Sequence, residues 1–189
     1  MGKLTIETCD IEGIYIIKPT VFGDSRGYFM ETYNLRDMQD AGLSMVFVQD
    51  NQSKSTKGVL RGLHFQKQHP QGKLVRVIRG EVFDVAVDLR PGSATFGKWY
   101  GVILSEENKM QLYIPEGFAH GFYVLSEEAE FCYKCTDFYH PNDEGGLCWD
   151  DPDLNIDWPL LSETPLLSDK DRRLPSFREY TANQAAKRG

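Results

Sequence analysis

The sequence predicts an all-β domain, a barrel or sandwich of short strands, and three observations point to it. β-branched and aromatic residues gather in short runs, many of them alternating apolar with polar. Gly, Pro, Asn and Asp turn signals bound those runs. Helix-start patterns are scarce, and the clearest opens at Asn34.

Taken in order, strands are expected over 14–19, 27–33, 45–51, 59–66 and 73–79. Further strands follow over 81–89, 98–104, 110–114, 120–125 and 129–138. Arg79-Gly80 makes a tight connection between two well-patterned strands. Leu89-Arg-Pro-Gly-Ser93 is a second turn, with Pro91 fixing φ and Gly92 tolerating positive φ. Asn34 caps a short helix through Gln39 that ends near Gly42. From 150 to 180 the chain is rich in Pro, Asp and Leu and reads as loops with short helical turns. Residues 181–189 read as a flexible tail. Residues 1–189 are expected to form one domain, because 189 residues suffice for one full core.

Composition narrows the function classes. A formal net charge of −7 argues against a nucleic-acid binder. It leaves room for a small anionic ligand, held by a local cluster such as Arg26, Arg61 and Lys73. No apolar run approaches the ~18 residues of a membrane span. The N-terminus lacks a signal-peptide core, and Ile6 breaks the myristoylation pattern that Gly2 suggests. A cytoplasmic protein with reduced thiols is expected, with no membrane partner. Cys132 and Cys135 have zinc-knuckle spacing, yet residues three apart on a strand point to opposite faces. No second pair accompanies them, so no structural metal is expected.

Two strands carry informative parity. In 81–89 one face holds Phe83, Val85, Val87 and Leu89, and the other Val82, Asp84, Ala86 and Asp88. Two carboxylates on one face require a polar pocket or solvent. In 129–138, Phe131, Tyr133, Cys135 and Asp137 share a face, continued by Tyr139. That face either lines an elongated ligand or is an ordinary half-buried sheet face, which tyrosines favour.

The chemistry concentrates in Gly58-Val-Leu-Arg-Gly-Leu-His-Phe-Gln66, followed by Lys73. His64 is a candidate base among residues that prefer burial. Arg61 and Lys73 suit a phosphate or a developing oxyanion. Arg61 and His64 are three apart, so a regular strand would aim them oppositely. A bulge at Gly62 would bring both to one site. His120 lies in a second Gly-rich aromatic stretch, while His69 and His140 flank prolines in expected loops. A β-barrel with histidines so placed suggests a cupin. Its usual His-x-His ligand pair is broken here, where the chain reads His64-Phe65-Gln66. Three or four converging metal ligands cannot be assembled.

At this point the chain resembles the dTDP-4-dehydrorhamnose 3,5-epimerase family, a metal-free branch of the cupin-like jelly rolls. The resemblance rests on Phe22-Gly-Asp-Ser-Arg-Gly-Tyr-Phe29, Phe47-Val-Gln-Asp-Asn-Gln-Ser53, Gly58-Val-Leu-Arg-Gly-Leu-His64 and Gln71-Gly-Lys-Leu-Val-Arg76. It continues through Gly80-Glu-Val-Phe-Asp-Val-Ala-Val-Asp88, Ile114-Pro-Glu-Gly-Phe-Ala-His-Gly-Phe122 and Asp150-Asp-Pro-Asp-Leu-Asn-Ile-Asp-Trp-Pro159. These stretches occur in family order and cover about residues 10 to 175. The resemblance implies a cofactor-independent enzyme acting on a dTDP-linked 4-keto-6-deoxyhexose, inverting C3 and C5 through enolates.

It implies His64 as base, Tyr133 as acid, Lys73 as enolate stabiliser and Asp171 as the group orienting His64. From the residues alone, Asp84 remains a rival partner for His64, and Ser168-x-x-Asp171 also reads as a helix start. Tyr139 is implied to stack on thymine. Arg26, Phe29, Glu31, Gln49, Asp50, Asn51, Arg61, His120, Glu144 and Lys170 are implied as further substrate contacts. A homodimer with N-terminal strands exchanged or packed across the interface is also implied. A C3-only epimerase or 3,4-ketoisomerase would use the same base. A noncatalytic sugar-nucleotide module and a metal-dependent cupin oxygenase are the readings from other classes.

Overall fold

Alternating side chains give nearly every strand two distinct faces, and the two larger sheets pack face to face with part of each outer face covered as well. A computed structural model describes residues 4–186. Its strands are β1 (Leu4–Thr8), β2 (Tyr15–Pro19), β3 (Val21–Asp24), β4 (Gly27–Met30), β5 (Gln49–Thr56), β6 (Leu60–Gln66) and β7 (Lys73–Arg79). They continue as β8 (Glu81–Asp88), β9 (Trp99–Ser105), β10 (Gln111–Ile114), β11 (Phe118–Val124), β12 (Glu128–Cys135) and β13 (Glu144–Gly146). Helix α1 is Leu35–Asp40, a 3-10 turn covers Asp171–Arg173, and helix α2 is Phe177–Ala186.

A six-stranded antiparallel sheet in the order β1-β2-β10-β7-β12-β5 faces a five-stranded one in the order β13-β6-β11-β8-β9. The fold is the all-β jelly-roll sandwich that the sequence predicts. Ile16, Val75, Val77, Leu112 and Phe131 from the first sheet meet Val82, Ala86, Leu104, Phe118 and Phe122 from the second. The outer face of the five-stranded sheet, with Leu60, Leu63, Val85 and Tyr123, is covered by Leu147, Leu154 and Trp158. On the outer face of the six-stranded sheet, Ile17, Leu74 and Tyr113 pack against Met38 of α1 and Leu43.

Most expected strands stand within a few residues of their predicted limits, and Asn34 does cap α1, accepting from the Arg36 and Asp37 amides. Several elements differ. The strand expected over 45–51 begins only at Gln49, because Met45 and Phe47 turn back onto the cluster around Met38. The strand expected over 129–138 ends at Cys135. β1, β3 and β13 were not predicted.

The expected tail over 181–189 is instead largely the second half of α2, with residues 187–189 lying outside the described residues. Ser176 and Glu179 open that helix with a capping box. The Glu179 amide donates to Ser176 Oγ, and the Ser176 amide donates to Glu179 Oε2. The strand expected over 14–19, β2, has both its neighbours within the same chain, pairing with β1 and β10. Among the described residues the hairpin β3–β4 pairs only with itself, apart from both large sheets.

Candidate active site

The bulge demanded at Gly62 is present. On β6, His64 pairs with His120 while Arg61 pairs with Phe122, so three steps on β6 match two on β11. Gly62 has φ +116°, and a Cβ there would lie 2.6 Å from the His120 carbonyl oxygen. The extra residue reverses the phase of the strand. Leu60 and Leu63 both enter the outer cluster, while Arg61 and His64 both line the interior cavity. His64 Nε2 is 2.5 Å from Asp171 Oδ1. Asp171 is buried, and its backbone amide donates a hydrogen bond to Ser168 Oγ. Burial alone would raise the Asp171 pKa, but the His64 hydrogen bond and charge override it and hold the carboxyl low. Asp84 is engaged elsewhere, so Asp171 is the partner of His64.

The opposite wall comes from the six-stranded sheet, where regular alternation does the positioning. Lys73, Val75 and Val77 share one face of β7, and the two valines lie in the interior core. Phe131, Tyr133 and Cys135 share the interior face of β12. Gln49 and Asn51 do the same on β5. A cavity of about 430 Å³ is lined by Arg61, His64, Lys73, His120, Tyr133 and Asp171 among others. A second, of about 290 Å³, shares His64, Lys73 and Tyr133 with the first and adds Gln49, Asn51, Tyr139 and Glu144. The two form one groove with the three shared side chains at its middle. Burial pushes the Lys73 ammonium pKa down, opposed by the nearby Asp84 and Glu144 carboxylates. Burial pushes the Tyr133 phenol up, so it is a protonated donor at neutral pH.

Around this centre Arg61 donates from Nε to Ser55 Oγ at 2.9 Å. His120 Nε2 lies 3.1 and 2.9 Å from the two oxygens of Asp84. At the rim Lys170 is ion-paired with Glu144, and Tyr139 is half exposed with its amide held by Gln49. Four expected contacts are not brought to the groove. Asp50 alternates away from Gln49 and Asn51 and pairs with Lys134 at 2.7 Å. Arg26 and Phe29 sit on the detached hairpin, where Arg26 pairs with Asp24. Glu31 accepts from Asn34 Nδ2 beside α1.

Comparison with known proteins decides the family. The family model described as dTDP-4-dehydrorhamnose 3,5-epimerase matches residues 8–179. A dTDP-4-dehydrorhamnose 3,5-epimerase from Methanothermobacter thermautotrophicus is 58% identical over 180 residues, covering 95% of this chain and 97% of that protein. Its counterpart from Pseudomonas aeruginosa is 58% identical over 170 residues, 89% of this chain and 93% of that one. The chain belongs to the dTDP-4-dehydrorhamnose 3,5-epimerase family. A crystal structure of a 3,5-epimerase from Legionella pneumophila, in complex with dTDP-4-keto-L-rhamnose, superposes with a TM-score of 0.91 at 54% identity. It covers 95% of this chain and 96% of its own. The activity is 3,5-epimerisation in dTDP-L-rhamnose biosynthesis.

Epimerase residues that the sequence reading passed over fall into two groups. Ser53 lines the groove, and its signal is its place two residues along the same strand face from Asn51; Phe131, on the face that the sequence offers as a ligand lining, lines it too. Leu166 and Leu167 also line it. They come from a loop joined to the segment before β6 by the bridge from Leu166 to Val59, and nothing in their spacing marks them. Gln66, where a cupin metal ligand would stand, ties loops together. Its amide donates to the His69 and Phe138 carbonyls and its oxygen accepts from the His140 amide.

Proposed function

We propose that the groove inverts C3 and C5 of dTDP-4-dehydro-6-deoxy-D-glucose, giving dTDP-4-dehydro-β-L-rhamnose, with His64 as base and Tyr133 as acid. One observation carries this assignment: the two side chains face each other from opposite sheets, His64 on β6 and Tyr133 on β12. Sheets in a sandwich pack roughly 10 Å apart, so a sugar ring between them shows one face to each. In a D-gluco chair the hydrogens on C3 and C5 are both axial and lie on the same face. One base therefore serves both centres, and one acid serves both from the other side.

The step at each centre balances as follows. The C–H electron pair becomes the C=C bond of an enolate, the proton goes to His64, and the carbonyl pair moves onto O4. Lys73 stabilises that oxyanion. Collapse of the enolate takes the Tyr133 proton on the opposite face and restores the ketone. Asp171 fixes the tautomer of His64 and stabilises the imidazolium that forms. Between the two inversions His64 returns its proton, and Tyr133 regains one, through the open mouth of the groove.

Tyr139 stacks on thymine in this reading, and Arg61, Gln49, Asn51, His120, Glu144 and Lys170 contact the remainder of the nucleotide sugar. The hairpin supports a homodimer in which Arg26, Phe29 and Glu31 serve the groove of a second copy. Val21, Phe22, Tyr28 and Phe29 are all exposed on it, more apolar surface than a free hairpin carries to advantage.

The deciding experiment is solvent exchange at C3 and C5 in deuterated water. His64→Asn is expected to lower exchange by about 10²–10⁴-fold with the melting transition kept. Near-normal exchange in that variant would remove His64 from the role of base. Light scattering tests the dimer, and a monomeric, fully active enzyme would overturn it.

A further inference from the structure

His120 and Asp84 form a second histidine–carboxylate pair, more deeply buried than the first, with side chains 8% and 0% exposed. We propose that Asp84, itself held by His120, is the positioning residue that keeps Lys73 a cation opposite the enolate oxygen. The inference rests on the role given above to Lys73.

A carboxylate without exposure needs either a proton or a compensating charge. Asp84 receives hydrogen bonds only from His120 Nε2 among the described residues, and one N–H cannot neutralise a carboxylate. Lys73 has the complementary problem. It faces the same interior from the other sheet, lines both halves of the groove, and has no ion pair of its own among the described residues.

The charged and titratable groups facing Lys73 come from five strands, and Arg61 of β6, donating to Ser55, adds a second cation to the same cavity. Cys135 and Tyr133 of β12 are held protonated by burial. Glu144 of β13 is already paired with Lys170. His64 of β6 is committed to Asp171. His120 of β11 is kept neutral, because burial lowers its pKa and outweighs the opposing pull of Asp84; Lys73 and His64 lower it further. That leaves Asp84 of β8 as the standing negative charge that balances the ammonium.

The arrangement also fixes His120. With Nε2–H given to Asp84, a neutral ring presents Nδ1 as an acceptor, suited to a sugar hydroxyl rather than to a phosphate oxygen. Lys73⁺, neutral His120 and Asp84⁻ together form an interior set with no net charge.

The test is the pH profile of kcat/KM for solvent exchange. Asp84→Asn is expected to move the alkaline limb down by about one pH unit or more. Activity on that limb should fall about tenfold, with a change below about threefold near pH 6. A guanidinium does not deprotonate, so in a Lys73→Arg background Asp84→Asn should leave the limb where it is. An unmoved limb in the single variant, or an equal shift in the Arg background, overturns the proposal.

Should Asp84→Asn not fold, ¹⁵N-histidine NMR of the unaltered enzyme decides. A neutral Nε2–H tautomer at His120 from pH 6 to 8 supports the proposal, and an imidazolium or an Nδ1–H tautomer overturns it. Substantial turnover by Lys73→Met would instead sink the enolate-stabilising role itself, whatever His120 shows.

Discussion

β6 and β12 deliver the proposed base and the proposed acid by opposite means. β12 is regular where it lines the site, and Phe131, Tyr133 and Cys135 reach the interior by simple alternation, in unbroken register with β5. β6 reaches it by an error in alternation, with Gly62 inserted so that Arg61 and His64 share a face. A regular strand tolerates side-chain exchange along its length, because its neighbours carry the geometry. A bulge concentrates the geometry in one backbone position, so the base side of this site is the more brittle.

That contrast can be broken at Gly62. A Cβ there would meet the His120 carbonyl oxygen and Gly121 Cα, both at 2.6 Å, at a φ of +116°. Gly62→Ala is expected to cost about 3 kcal/mol or more in urea unfolding and to abolish exchange. A stable, active alanine variant would show that the bulge is not what aims His64.

β8 sharpens the comparison, being regular yet carrying two buried carboxylates inward. Burial pushes Asp88 up, but Arg90, Ser93 and Thr95 overcome it and bring its pKa to about 2. A depressed carboxylate contributes stability above its unfolded pKa and loses it as pH falls through the folded value. Asp88 therefore adds about 2 kcal/mol at neutral pH, lost between about pH 4 and pH 2. Asp88→Asn should flatten the acid limb of the stability curve over that window, as followed by circular dichroism.

The smallest effect on stability is expected at Tyr133, whose hydroxyl makes no hydrogen bond among the described residues. Tyr133→Phe should change unfolding free energy by less than about 1 kcal/mol. It should still slow epimerisation more than initial exchange, measured by product NMR. An unchanged product rate would free Tyr133 from the acid role.

Much of the sandwich was legible because alternation and turn residues are local signals. The failures were local too. β1 and β13 are short edge strands, and β3 is fully exposed, so none shows a marked buried face. The C-terminal helix was announced by Ser176-Phe-Arg-Glu179 but lacked an apolar stripe to go with it. In the site, the need for a bulge at Gly62 could be read from the three-residue spacing of Arg61 and His64. The choice of Asp171 over Asp84 could not be made from spacing, since both carboxylates are buried beside a histidine and only the tertiary fold says which. Asp50 was carried in with Gln49 and Asn51 by motif, although parity alone sends it to the other face.

Asp171 lies 107 residues beyond His64, and every strand of both sheets has ended by Gly146. The segment that carries it is moored late, by Cys148 donating to the Pro175 carbonyl and Phe177 donating to Asp151. A chain still being synthesised, or clipped anywhere between 147 and 170, would hold its full complement of strands and lack its dyad. The proton abstraction proposed above thus depends on a segment outside both sheets, so that completing the sandwich does not by itself complete the site.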